Sequence, residues 1–417
     1  MGEILPIVRD IEDKLKVLKE VEKVEVCGSV RRMKETIGDV DLLVQSGNPS
    51  KVMDFFVSLP GVEKVWGKGE TKASVRMEDG FDVDVRVVPK KSYGAALQYF
   101  TGSKEHNIVV RELAIRKGLK LNEYGLFEGK KMIAGADEEG IYKALGMKLM
   151  PPEIRENGGE VEASLKDKLP QLVKLQDIKG DFHCHSNFNG GHSSVRELAE
   201  YAKSLNYKYL GISDHTKFLR IENGLDEKGL SLERKEIDKI NGEFEEKGDP
   251  FRILQGCECN ILDKGELDIS DEALAKLDYV IAGVHSQFKM GRKEMTERII
   301  NAMKNPNVKI IAHPTGRLLK KRDEYEIDFD KVLRAARGLN VILEIDSFPQ
   351  RFDLSDVNIR RAKEAGVKMT IDTDSHQKEQ LYFMEYGVSQ ARRGWAEKKD
   401  IVNTLPFKKL IEEFKKR

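Results

Sequence analysis

The sequence predicts a two-part chain of mixed class. An α+β front half is built on a mixed or antiparallel sheet, and an α/β back half closes as a distorted (β/α)7 barrel. Three observations carry this. Of the eight histidines, only His106 precedes residue 180. The stretch 151–171 holds Pro-Pro, Gly-Gly and many charges, which reads as a linker between unlike domains. Beyond it, short apolar runs alternate with helix-like stretches, the pattern of parallel strands covered on both faces.

The back half is the more explicit. Its apolar runs are "DFHCH", "YLGISDH", "FRILQGCE", "YVIAGVH", "VKIIAH", "VILEID" and "VKMTIDTDSH". They end in His183 and His185, His215, Glu258, His285, His313, Asp346, and Asp374 with His376. Between most of them lie amphipathic stretches such as "SSVRELAEYAKSLNY" and "KEMTERIINAMKN". Ligand-type residues at the C-terminal ends of barrel strands place a site on that face. His183 and His185, two apart on a strand, send both rings to one side. A lone strand histidine is usually a satisfied core residue. So many histidines and acids converging on one mouth need partners or metal. Imidazole suits zinc, iron and manganese, and carboxylates can bridge two ions. Two or three clustered ions activate water and clamp phosphate oxygens, so metal-assisted phosphoester hydrolysis is expected here.

The front half carries a different pattern. "VCGSVRRMKETIGDVDLLV" (26–44) reads as strand, Gly-Ser turn, basic loop, then a strand bearing Asp39 and Asp41 on one face. "FDVDVRVV" (81–88) is a second alternating strand, with Asp82 and Asp84 on its polar face. Three carboxylates on adjacent strands can hold two magnesium ions, which suits phosphoryl transfer from a nucleoside triphosphate. Gly28 permits close backbone approach, and Ser29 and Arg32 could hold the triphosphate. D-x-D alone is a weak signal, because a polar sheet face exposed to water would also produce it. The Gly-Ser turn before it and the acidic strand after it sharpen the case. "YFTGS" and the helix after it bring Tyr99, Phe100, Asn107 and Arg111 towards the same site, the aromatic pair against a sugar and base.

Composition sets limits. The chain is 40% hydrophobic and 34% charged with a formal net charge of +0, so charge alone announces no nucleic-acid partner. No apolar run approaches the roughly 18 residues of a membrane span. The start of the chain has no basic-then-apolar leader pattern, so a cytoplasmic protein is the default expectation. The four cysteines, Cys27, Cys184, Cys257 and Cys259, are too scattered for a disulfide framework and read as small buried apolar residues.

The ordered motifs resemble a known family. "GSVRRMKETIGDVD", "DVDVRVVP" and "YFTGSKEHN" are similar to the palm and thumb of family X DNA polymerases. "DFHCHS", "SDH", "CE", "GVHS", "AHPTGR" and "TDSH" resemble the PHP (polymerase and histidinol phosphatase) domain, which bacterial and archaeal members carry behind the polymerase. The resemblance implies a nucleotidyltransferase-type palm at 1–92, a thumb at 93–150, the linker at 151–171 and a TIM-like PHP barrel at 172–417. It implies that Asp39, Asp41 and Asp84 bind two Mg2+ ions. Asp84 is preferred to Asp82 because the family's third carboxylate stands two residues before an arginine, here Arg86. Gly28, Ser29 and Arg32 would contact the incoming dNTP, with Gly38 nearby. Tyr99, Phe100 and Gly102 would shape the sugar pocket, and Asn107 and Arg111 would lie in the minor groove at the nascent pair. In the barrel, His183, His185, His215, Glu258, His285, His313, Asp374 and His376 match the ligand pattern for two or three Mn2+, Zn2+ or Fe ions. The implied activities are template-directed DNA repair synthesis on primer–template or gapped DNA and 3′-5′ trimming, by a monomeric protein associated with the nucleoid.

The chain departs from that pattern twice. It begins where the palm begins, without the family's lyase-like domain and fingers, so either a short form or a truncated one is expected. In the first PHP loop, Gly190 stands where an aspartate ligand is expected. One ion, the one that would also use His215 and His376, is then weakly held, unless Asn189 or His192 substitutes. The chief alternative is a PHP phosphoesterase whose front half only grips DNA. A non-catalytic DNA-end scaffold and a nucleotidyltransferase acting on RNA or protein are weaker readings.

Overall fold

The structure is a computed structural model describing residues 1–416. The chain divides into two compact units, Met1–Pro170 and Gln171–Arg417.

In the first unit, α1 (Leu5–Lys16) buries Leu5, Val8, Ile11 and Leu15 on one face, the spacing of an amphipathic helix. The strands are β1 (Val21–Val26), β2 (Val40–Ser46), β3 (Val62–Lys68), β4 (Lys72–Met77) and β5 (Asp82–Val88). They form a mixed sheet in the order β1-β2-β5-β4-β3, with β2 and β5 parallel and the other neighbours antiparallel. Alternation along β5 is strict. Val83, Val85 and Val87 are buried, while Asp82, Asp84 and Arg86 are only half-buried, as period-2 side-chain placement requires. One turn of helix, α2 (Gly28–Arg31), joins β1 towards β2, and α3 (Pro49–Val57) follows β2 with Asn48 capping it at Lys51 N.

Two helices, α4 (Tyr93–Thr101) and α5 (Lys104–Arg116), come next. Ser103 caps α5 by accepting from His106 N at 3.2 Å. A small antiparallel sheet of β6 (Lys120–Asn122), β7 (Gly125–Glu128) and β8 (Lys131–Ala134) precedes α6 (Glu138–Ala144).

The stretch 151–171 is not the open linker expected of it. Through residue 170 it belongs to the first unit, where Ile154, Arg155, Glu160 and Val161 are buried. Its charges are tolerated inside because each has a partner. Arg155 Nη1 meets Glu138 Oε1 at 2.5 Å, and Glu160 Oε1 meets His106 Nδ1 at 2.6 Å.

In the second unit, β9 (Tyr209–Ile212) and β10 (Arg252–Gln255) pair in parallel. β11 (Glu258–Asn260), β12 (Val280–Gly283), β13 (Val308–Ile311), β14 (Ile342–Asp346) and β15 (Met369–Asp372) form an all-parallel sheet in that order. β10 and β11 are one path interrupted at Gly256 and Cys257. The run 181–185 is not a regular strand, yet it bridges the two sheets. It accepts from Gly211 N and Ser213 N of one neighbour, and it exchanges His185 N→Ser375 O and Ser375 N→His183 O with the other. These bonds close a seven-path barrel, with helices such as Val195–Ser204 and Phe329–Leu339 packed outside. One aromatic cluster joins Phe182, Tyr209 and Tyr279 to Phe414 of the C-terminal helix, with Phe182 5.5 Å from Phe414 between centroids. The ligand residues follow the strands, at their C-terminal ends.

Candidate active sites: a carboxylate pocket and a histidine cluster

In the first unit, Asp41 of β2 and Asp84 of β5 are direct register partners on parallel strands, and Asp39 precedes β2. Burial, and then the charges of Asp39 and Asp84, push the Asp41 carboxyl up to about 6. Like charges in this arrangement call for a counter-ion. One is already present, since Lys72 Nζ lies 2.5 Å from Asp84 Oδ2. Among the described residues, Asp39, Asp41 and Asp84 do not gather three ligand oxygens within 4.8 Å of one another. Asp82 is turned to other work, accepting from Trp66 Nε1 at 2.9 Å and Arg76 Nη1 at 3.0 Å.

Asp41, Lys72, Asp84, Arg86 and Phe100 line one small pocket with Cys27. Gly28 overlooks it at φ +60°, and a Cβ there would lie 2.9 Å from Asp41 Oδ2. The Arg86 guanidinium sits 4.8 Å from the Phe100 ring centroid, and Tyr99 meets Phe100 edge-on at 5.1 Å. Arg32 is engaged by Glu156 at 3.0 Å and by the Thr101 carbonyl. Gly102 is beside it, where a Cβ would meet Arg32 Nη1 at 3.1 Å. Ser29 is half-buried in α2, and Gly38 is exposed just before Asp39. Asn107 is buried. Its amide donates to Tyr99 O at 2.7 Å and accepts from Gln98 Nε2 at 2.6 Å, while Arg111 Nε donates to Asn107 O at 3.2 Å.

The second unit assembles a far denser site. Three groups each bring their ligand atoms within 4.8 Å of one another: His183, His185, Glu258 and Asp374; His215, Glu258 and His285; and His185, His215 and His376. Glu258 is the hub. Its Oε2 lies 2.7 Å from His215 Nδ1 and 3.2 Å from His183 Nε2, and its Oε1 lies 2.9 Å from both His285 Nε2 and His313 Nε2. His313 is outside the three groups and meets the cluster through Glu258 Oε1, with its ring 5.3 Å from that of His285. Burial opposes the Glu258 charge, but His285, His183 and His215 hold its carboxyl well below the usual range. Burial likewise disfavours charge on His183, and the facing Glu344, Glu258 and Asp374 outweigh it, raising its pKa. His183 Nε2, His185 Nδ1, His215 Nδ1 and Glu258 Oε2 are buried and make no well-directed hydrogen bond, although Glu258 Oε2 stands within ion-pair distance of two of these nitrogens. Buried polar atoms that approach without bonding are suited to a shared ligand. A mixed histidine–carboxylate set of this density fits divalent metal.

Behind the ligands stand residues that the motifs did not reveal. Glu344 accepts from His183 Nδ1 at 2.6 Å with one oxygen and from His313 N at 2.6 Å with the other. Asn260 Oδ1 lies 2.7 Å from His285 Nδ1. Asp214 holds Ser186 by its backbone N at 2.6 Å and hydroxyl at 2.5 Å, one residue beyond His185. Arg351 reaches Asp374 and Asp346. One signal was available. Glu344 lies in "VILEID", inside a strand whose residues are all buried, where a charge needs a partner.

The loop after His185 answers the missing aspartate only in part. His192 is exposed and its ring is outside all three ligand groups. Asn189 is buried, with its amide donating to His215 O at 3.3 Å and its Oδ1 without a partner. A Cβ on Gly190 would lie 2.2 Å from Glu222 Oε2, so this carboxylate fills the space beside residue 190.

Known proteins share both halves. The family model for the DNA polymerase beta thumb matches residues 96–156, and that for the PHP domain matches residues 181–347. The DNA polymerase/3′-5′ exonuclease PolX of Bacillus subtilis is 40% identical over 421 residues, covering 100% of this chain and 73% of that protein. The chain belongs to the PolX family. This PolX-family chain is also similar to a probable phosphatase of Acetivibrio thermocellus, 32% identical over 206 residues, 47% of this chain and 78% of that one. A ternary complex of Leishmania infantum polymerase beta is 26% identical over 37% of this chain and 75% of its own, with a TM-score of 0.33. The four cysteines of this PolX-family chain are all free and buried. Among its described residues, no helix is long and apolar enough to cross a membrane.

Proposed function

We propose that the chain is a template-directed DNA polymerase joined to a PHP 3′-5′ exonuclease that trims the same primer ends. Membership of the PolX family supports both halves, and the Glu258-centred cluster carries the nuclease half. In the first unit, Asp39, Asp41 and Asp84 would hold two Mg2+ ions, which would supply charge neutralisation at the triphosphate and at the primer 3′-hydroxyl. The chain's own residues set the frame. Gly28 keeps the backbone close enough for a dNTP to approach Asp41, with Ser29, Arg32 and Gly38 around the phosphates. Phe100, braced by Arg86, with Tyr99 and Gly102, walls the sugar pocket. Asn107 orders the end of α4 through Tyr99 O, and Arg111 is the nearby cation that meets the minor groove. DNA as primer–template or gapped duplex, and dNTP, are the substrates.

In the second unit, His183, His185, His215, Glu258, His285, His313, Asp374 and His376 hold two or three ions, manganese or zinc before iron. Bound there, they supply Lewis acidity for phosphodiester hydrolysis. Glu344 and Asn260 fix which nitrogens of His183 and His285 face the cluster, the supporting role common around metal-binding histidines.

Three observations favour a second reading, a nuclease whose front half grips DNA without extending it. The three acids do not converge, Lys72 occupies Asp84, and Arg32 is engaged by Glu156. A 5′-labelled primer–template incubated with manganese, with and without dNTPs, separates the two. Extension with dNTPs and shortening without them support the fused activities. Shortening alone supports the second reading, and neither product sinks both.

A further inference from the structure

Arg351 sits in the loop after β14, beside the histidine cluster. Its Nε lies 3.2 Å from Asp346 Oδ2 and 3.2 Å from Asp374 Oδ2. Asp374 turns its other oxygen, Oδ1, towards His185 Nε2 at 3.1 Å and His183 Nε2 at 3.6 Å. The guanidinium makes its nearest approach to both carboxylates through Nε, on the back of a cluster carboxylate. Among the described residues, its two terminal nitrogens make no hydrogen bond to the protein, and the side chain keeps 18% exposure. With no protein acceptor and 18% of the side chain exposed, its planar fork of donors is left to solvent or to a ligand at the site. A second cation adds to the imbalance. Arg322 lies over the Phe288 ring at 3.7 Å and donates from Nε to Gly316 O at 2.8 Å, with no ion pair among the described residues. Burial first, and then the Arg351 charge, lower the Arg322 pKa.

We propose that Arg351 binds a non-bridging oxygen of the 3′-terminal phosphodiester in the exonuclease site. Its terminal nitrogens supply the fork that a phosphate accepts, a geometry that a lysine does not reproduce. Nε stays on Asp374, so one side chain ties the phosphate to the carboxylate of the cluster. The inference rests on the nuclease reading above.

The test uses the full chain and a 5′-labelled single-stranded oligonucleotide with manganese. Wild type, Arg351→Met and Arg351→Lys are compared for bound manganese and for the KM and kcat with which the terminal nucleotide is released. Losing a charge-assisted fork should cost Arg351→Met roughly 10- to 100-fold in kcat/KM. We expect that loss at unchanged manganese content, and Arg351→Lys should recover only part of it. If the rate per manganese-loaded chain is unchanged in Arg351→Met, or if lysine restores it fully, Arg351 is a charge-balancing residue and the proposal fails. If wild type releases no nucleotide, the nuclease reading itself fails first, so the two failures are distinguishable.

Discussion

Asp41 and Asp84 face each other as register partners on two parallel strands, with Asp39 one step before β2. Opposed like charges of this kind cost a sheet about 0.2–1 kcal/mol. In Asp41→Asn, thermal unfolding in EDTA should therefore shift upward slightly. Primer extension with magnesium should fall by about 1000-fold, since the ions account for several kcal/mol of transition-state stabilisation. The pH dependence has a definite sign. The Asp41 carboxyl is raised from 3.8 to about 6, by burial first and then by Asp39 and Asp84, so the metal-free fold holds this proton more tightly than the unfolded chain. Its contribution is complete below pH 3.8 and is lost as pH rises through about 6. Unfolding midpoints of wild type and Asp41→Asn across that window check it. Parallel curves would refute the assignment.

Glu138 behaves in the opposite sense. It pairs with Arg31 at 2.8 Å and with Arg155 at 2.5 Å. Burial disfavours its charge, but the two guanidiniums outweigh that and lower its pKa from 4.5. Its stabilisation is present above pH 4.5 and disappears as pH falls through the lowered value. Glu138→Gln leaves two guanidiniums without their carboxylate and should cost about 3–5 kcal/mol. Urea unfolding followed by Trp66 fluorescence in a Trp395→Phe background reports the front unit alone. A cost below about 1 kcal/mol would place the pair in the surface class.

The two sites should separate genetically. Glu258 contributes to two of the three ligand groups and touches His313 as well. Glu258→Gln should strip bound manganese and reduce nucleotide release by about 1000-fold, while magnesium-dependent extension stays at the wild-type rate. Extension and trimming measured on one labelled primer check this directly. Loss of both together would mean a shared site.

Glu344 gives a graded version of that experiment. It orients His183 through Nδ1 and also holds His313 N. Glu344→Gln should weaken manganese affinity by about 10- to 100-fold without abolishing binding. Manganese titration of the apoprotein, followed by calorimetry, reads it out, and an unchanged affinity would reduce Glu344 to a packing residue.

How much of this was legible in the sequence depends on the range of the contact. Asp41 and Asp84 follow from period 2 along single strands, and the His183–His185 pair follows from the same rule, their rings 5.1 Å apart. The order of ligands around the barrel follows from strand ends. Glu344 with His183, Arg351 with Asp374 and Arg155 with Glu138 were out of reach, because no local period links partners on different elements. The misread stretch 151–171 shows the cost of that blindness. Pro-Pro, Gly-Gly and charges look solvated until Glu138 and His106 are known to wait for Arg155 and Glu160. Asp346 ended its strand like a ligand, but it was drawn off by Arg351.

Residue 190 is where these long-range contacts alter a prediction most. Sequence alone suggests that Gly190→Asp should restore a carboxylate to the ion that would also use His215 and His376. In the structure, the new Cβ would meet Glu222 Oε2 at 2.2 Å, and Gly190 N already donates to Glu222 O at 3.1 Å. The aspartate would have to displace that carboxylate and then sit beside it, with like charges opposed. Gly190→Asp alone should therefore bind no more manganese than wild type and should unfold slightly earlier. Combined with Glu222→Ala, the space and the charge are both cleared, and manganese content after dialysis should rise by about one ion per chain. Elemental analysis of the wild type, both single variants and the double variant decides between steric exclusion and a loop that needs no further acid. The second is established if the double variant gains nothing.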